Sequence, residues 1–97
     1  MYRVIYTQRA KIELQNSYNY IFFNLANPIA AHKFKSNIIK LISNLEYFPY
    51  MGKKSSNSNL RFIRFKNYLI FYSINNQNVE IQRIFHNRQN FKNIINK

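Results

Sequence analysis

The chain has 97 residues, a length for one domain over 1–97 with a modest core, and its 46% hydrophobic and 18% aromatic content excludes intrinsic disorder. Fifteen Lys and Arg against only Glu13, Glu46 and Glu80 give a formal charge of +12, which points to polyanionic partners: nucleic acid, an anionic surface or an acidic protein. The lack of cysteine excludes disulfides, cysteine-rich zinc sites and thiol catalysis, and no run reaches the roughly 18 apolar residues of a membrane span.

Residues 2–6 are rich in aromatic and β-branched side chains and predict a short first strand. Thr7 is placed to cap the helix that follows. Ala10, Leu14, Tyr18, Ile21 and Leu25 recur at helical spacing, which predicts an amphipathic helix over about 8–24. Asn27-Pro28 then reads as a second helix start, an N-cap residue with proline at the first helical position. Ala31, Phe34, Ile38, Leu41, Ile42 and Leu45 form its apolar stripe, and Pro49 and Gly52 end it near Tyr47. The link between the helices is very short, so they are expected to form an antiparallel hairpin.

Residues 51–59 carry Lys53, Lys54 and a run of Ser and Asn, and predict a mobile exposed loop. Strands follow at 60–65, 68–74 and 79–85, the middle one apolar on both faces as a central strand requires. Asn75, Asn76, Gln77 and Asn78 read as a hairpin loop. The tail, 88–97, predicts a short C-terminal helix with Phe91, Ile94 and Ile95 on one side. The order predicts an α+β fold: an N-terminal strand, an antiparallel helix hairpin covering one face, and a three-stranded antiparallel sheet whose other face is at least partly free.

That order resembles the RelE/ParE superfamily of bacterial toxins from type II toxin–antitoxin modules, over nearly the whole chain. The residues that carry the likeness are Tyr2-Arg3-Val4, Arg9-Ala10, Leu14, Asn27-Pro28, Ala30-Ala31, Phe34, Leu45, Phe48-Pro49 and Gly52. Leu60-Arg61, the run Tyr68-Leu69-Ile70-Phe71-Tyr72, Val79, Ile81, Arg83, Ile84 and His86 complete it. The ending Arg83-Ile84-Phe85-His86 and the hairpin length are similar to the ParE branch. The resemblance implies a small toxin that arrests growth until a cognate antitoxin binds it, in a possible hetero-oligomer; with no apolar signal-like or membrane-length run, a cytoplasmic protein with no cofactor, metal or membrane is expected. It implies DNA gyrase as the target for a ParE-like protein. For a RelE-like one it implies messenger RNA cut in the ribosomal decoding site, and a shared fold does not choose between them.

Cleavage of RNA at a 2′-OH needs a base, an acid and cations for the phosphate charge. If the chain is a ribonuclease, His86, Arg83 and Arg61 are its catalytic candidates, His86 because its ordinary pKa is near neutral. The resemblance also implies a third-strand Arg, where this chain has Leu69, and a terminal Tyr, for which Phe91 lacks the hydroxyl. Target or nucleic-acid binding falls to Lys53, Lys54, Arg61, Arg64, Arg83 and Arg88. Strand alternation groups Arg83 with Val79, Ile81 and Phe85, and Arg61 with Ile63 and Phe65. An unpaired buried guanidinium is costly, so each must find a partner. With three acids in the chain, carbonyls, solvent or an external anion are the expected partners. His32 reads as surface. Tyr18, Tyr20, Phe22 and Phe23 are too dense for one stripe, so some face outwards as a dock for an antitoxin segment. The leading expectation is a ParE-like toxin that inhibits gyrase by contact. The alternatives are a ribosome-dependent endoribonuclease and a member that binds only its antitoxin.

Overall fold

The computed structural model describes residues 1–56 and 58–86. Its elements are β1 (Arg3–Tyr6), α1 (Gln8–Asn19), α2 (Pro28–Ser43), β2 (Lys53–Lys54), β3 (Arg61–Phe65), β4 (Tyr68–Asn75) and β5 (Asn78–His86). The predicted C-terminal helix, with Phe91, Ile94 and Ile95, lies outside the described residues.

Both helices start where their caps dictate. Thr7 Oγ1 accepts from the Ala10 amide at 3.1 Å, and Asn27 Oδ1 accepts from the Ala30 amide at 3.0 Å, each satisfying a first-turn donor that has no intrahelical partner. The first helix does not stay α-helical to residue 24. Residues Tyr20–Asn24 wind as a π-helical turn, and Leu25, Ala26 and Asn27 lead into α2 with Ala26 at φ 51°. Five successive bulky or amide residues with no alanine weaken the α ladder there, and the wider turn leaves Tyr20 and Phe23 exposed.

The sheet has five strands in the order β1-β5-β4-β3-β2, with β1 parallel to β5 and every other pair antiparallel. Two differences from the sequence reading matter. Lys53 and Lys54, expected in a loose loop, pair with Phe62 and Arg61 as a short edge strand. Lysines on a two-residue edge also discourage pairing with a further chain. The first strand is not separate from the sheet but sits beside β5, which is therefore central.

The main core lies between the helix hairpin and one sheet face. Ala10, Leu14, Phe34, Ile38 and Ile42 meet Ile63, Ile70, Tyr72, Val79, Ile81 and Ile84. Phe34 stands against Tyr68 with ring centroids 4.8 Å apart. The opposite face was expected to be partly free. It instead carries a second buried cluster, Leu69, Phe71 and Phe85, flanked by Leu60 and Phe62. Phe71 and Phe85 stack at 5.5 Å.

An irregularity in β5 decides which residues face which layer. Phe71 pairs with Arg83 but Tyr72 pairs with Ile81, so Gln82 is an extra residue in the ladder. Its side chain reaches across to β4, where Nε2 donates to Ser73 Oγ at 3.1 Å. One added residue shifts the two-residue alternation by one. Val79, Ile81 and Ile84 thereby share the helix-covered face, while Phe85 joins the opposite cluster. The unbroken alternation that grouped Arg83 with Val79 and Ile81 is overturned.

Candidate functional site

Beyond Tyr6, β5 has no strand on the β1 side, and its open edge must satisfy its own backbone groups. Two residues from the start of α1 do this. Thr7 Oγ1 donates to the Ile81 carbonyl at 2.9 Å, and Glu13 Oε1 accepts from the Ile84 amide at 2.8 Å. Glu13 also receives the Arg83 guanidinium, from Nη2 at 2.7 Å and from Nε at 3.0 Å. The guanidinium lies 4.9 Å from the Phe85 ring centroid, and the residue is 8% exposed. The expectation of carbonyls, solvent or an external anion for Arg83 is thus corrected: one of the chain's three acids closes on it. Glu13 was missed as a key residue, although it was readable. It follows Ala10 by three positions and so lies toward the same buried side of α1.

Arg61 is held differently. Its Nη1 donates to the Gly52 carbonyl at 2.9 Å, and its guanidinium lies 5.0 Å from the Tyr50 ring centroid. Here the expectation of carbonyl partners agrees with the structure. The segment after α2 crosses the end of the sheet and is pinned by one phenol. Tyr72 donates to the Pro49 carbonyl at 2.7 Å and accepts from the Gly52 amide at 2.9 Å. Burial pushes the Tyr72 phenol above its ordinary pKa, opposed by the Gly52 hydrogen bond and by the charge of Arg61. Gly52 is glycine because of this packing: a methyl group there would meet Tyr72 Cε1 and Cζ at 2.8 and 2.9 Å. Tyr50, Lys54, Asn59, Arg61 and Ile74 line a hollow of about 190 Å3 at this end. Tyr50 is exposed there, as are Tyr47 and Phe48 just before it in the chain.

The remaining candidates are spread out. Lys53 and Lys54 are exposed on β2, and Arg64 is exposed on β3. His86 ends β5 with its ring 5.1 Å from Tyr68, on the helix side of the sheet. Arg61 pairs with Tyr72 and His86 with Tyr68, so these two lie four positions apart along β4, roughly 13 Å at strand rise. Arg83 is turned to the opposite face by the Gln82 bulge. The three ribonuclease candidates are not brought together. Leu69, where the resemblance implies an arginine, is buried in the second cluster. Arg88 and Phe91 lie outside the described residues. His32, read as surface, is exposed and meets Tyr18 Oη at 3.3 Å. Among the described residues no group of three His, Asp or Glu could hold a metal, and no helix is long and apolar enough to cross a membrane.

A second surface lies on the hairpin. Tyr6, Leu14 and Ile39 floor a groove of about 300 Å3, with Lys11, Gln15 and Lys35 around it. At the hairpin tip Tyr20, Phe23, Leu25 and Ile29 are exposed. Of the dense aromatic run, Tyr18 and Phe22 are half-buried, with ring centroids 5.8 Å apart, so the run splits between inside and outside as its density requires.

The family described as ParE toxin of type II toxin–antitoxin system, parDE, matches residues 4–91. A solved structure described as the chromosomal ParDE TA system from P. aeruginosa is similar, with a TM-score of 0.79 and 19% identity over 89% of this chain and 96% of that one. At that identity the likeness is one of fold. Among curated proteins, none matches the chain.

Proposed function

The chain belongs to the ParE toxin family of type II toxin–antitoxin systems, and from that premise we propose that it arrests growth by binding DNA gyrase, without chemistry of its own, until a cognate antitoxin covers it. The observation that carries this reading is the closure of Arg83 on Glu13. A guanidinium with two nitrogens on a carboxylate, mostly buried, has no role left in neutralising a scissile phosphate. With His86 and Arg61 apart along β4 and Arg83 on the opposite face, the three cleavage candidates do not converge on one point, as general acid–base cleavage by them requires. What the surface does offer is contact area: exposed aromatics at both ends of the helix layer and lysines on the sheet edge.

The antitoxin reading rests on the hairpin groove. An apolar floor of Tyr6, Leu14 and Ile39 beside Lys11 and Lys35 suits an acidic amphipathic segment. The exposed aromatics of the hairpin tip extend the apolar surface available to it.

The test is a gyrase supercoiling and cleavage assay with the purified chain, with and without its antitoxin. The expected result is inhibited supercoiling or trapped cleaved DNA, reversed by the antitoxin. An active gyrase from the same host that is unaffected, together with ribosome-dependent cutting of messenger RNA, would transfer the reading to the endoribonuclease alternative.

A further inference from the structure

The sheet end built around Arg61 has a composition that gyrase contact does not require. Tyr47, Phe48 and Tyr50 are 67%, 65% and 60% exposed, within four consecutive residues. Such a concentration of exposed rings costs solubility unless something stacks on them. Tyr50 adjoins cations: Arg61 lies against its ring, and Lys54 shares its hollow.

The cation is also prepared. Arg61 uses Nη1 on the Gly52 carbonyl, which fixes the plane of its guanidinium, while Nε and Nη2 have no acceptor among the described residues. A guanidinium held by one nitrogen with two donors left over is arranged for a bidentate oxyanion. The Gly52 carbonyl is itself fixed, because Tyr72 grips both Pro49 and Gly52. Asn59 adds an amide to the same hollow.

We propose that this hollow binds single-stranded nucleic acid, with a backbone phosphate at Arg61 and Lys54 and a base stacked on Tyr50. The two halves of the ligand match the two halves of the site. A phosphate alone would leave the rings unexplained, and an acidic peptide offers carboxylates but no planar face for Tyr50. A paired duplex hides its base faces, so stacking selects unpaired strands. No histidine or carboxylate lies among its lining residues, and binding is the role proposed for it. It stands on its own geometry and does not depend on gyrase being the target.

The experiment is fluorescence anisotropy with the full chain and four probes. These are a 12-nucleotide single-stranded DNA, the matching RNA, the DNA duplex, and a heparin oligosaccharide as a polyanion without bases. Both single strands are expected to bind more tightly than duplex or heparin. Tyr50→Ala should weaken them about tenfold and leave heparin unchanged, while Tyr50→Phe, which keeps the ring face, should bind as the wild type does. Lys54→Ala should weaken all probes and lower the slope of log affinity against log salt by about one. Tyr50 is exposed, so its variants are expected to keep the wild-type melting temperature, which is measured alongside. Equal affinity for all probes, or Tyr50→Ala without effect, would show a general basic surface and overturn the site. So would a poly-glutamate peptide that displaces the oligonucleotide as effectively as unlabelled single strand does.

Discussion

Glu13 holds a strand-edge amide and a guanidinium at once, and both are largely removed from water. Glu13→Ala therefore leaves a buried charge and a buried N–H without partners, a loss of about 3 kcal/mol or more. Glu13→Gln keeps an oxygen for the Ile84 amide and should lose distinctly less. Urea unfolding of the two variants measures the difference, and equal midpoints would contradict the double role. At the other end of the sheet, Gly52→Ala drives a methyl group into the Tyr72 ring and should cost about 1–3 kcal/mol, with a matching drop in melting temperature. A third residue sets a pH limit. Burial pushes the Tyr6 phenol up to about 12. Unfolded tyrosine ionises near 10, so between about pH 10 and 12 the native state holds more protons than the unfolded one. Stability is then complete below pH 10, falls as pH rises through that window, and levels off above it. Tyr72 acts in the same direction. Tyr6→Phe should make the decline of urea midpoint with pH shallower there, and an unchanged slope would count against burial of that phenol.

Among the elements, β5 shows what one residue does to a strand. Gln82 is the unpaired extra, and it sends Arg83 and Phe85 to one face and Ile84 to the other. Deleting Gln82 removes the bulge while leaving Ile84 in phase with Val79 and Ile81, so the variant should still unfold cooperatively, with reduced stability. Inserting an alanine after Gln82 adds a second extra residue, which restores the side-chain alternation but slides residues 83–86 two positions along β4, away from Phe71 and Ile70, and should cost more stability than the deletion. Circular dichroism melts compare the two, and an insertion variant as stable as the deletion variant would show that the register of residues 83–86 against β4 contributes little. The elements themselves were largely legible. Thr7 and Asn27-Pro28 mark both helix starts, because capping depends on neighbours in sequence. The π-helical turn and β2 were not. Five π-helical residues have no pattern distinct from α, and Lys53-Lys54 becomes a strand only because Arg61 and Phe62 lie beside it.

For the molecule as a whole, the charge of +12 and the helix layer govern association. If an acidic antitoxin occupies the hairpin groove as proposed, it should bind more weakly as salt rises, since Lys11 and Lys35 are exposed and their contacts would be screened. Lys11→Glu with Lys35→Glu should weaken it at least tenfold while gyrase inhibition is retained; calorimetry against the antitoxin segment reads the first, and the supercoiling assay the second. Unaltered antitoxin affinity would place the antitoxin elsewhere. The sequence by itself determined the α+β class, the helix starts, the basic surface and the family resemblance, because periodicity, capping and composition are properties of neighbouring residues. Tertiary structure alone decided the position of β1 beside β5, the phase change at Gln82, and the fate of the two arginines. Arg83 and Glu13 are 70 residues apart along the chain, and only folding makes one the counter-ion of the other. Among the described residues Arg61 keeps free donors for the same kind of reason: its nearest partner is a carbonyl at Gly52, which satisfies one nitrogen and brings no counter-charge.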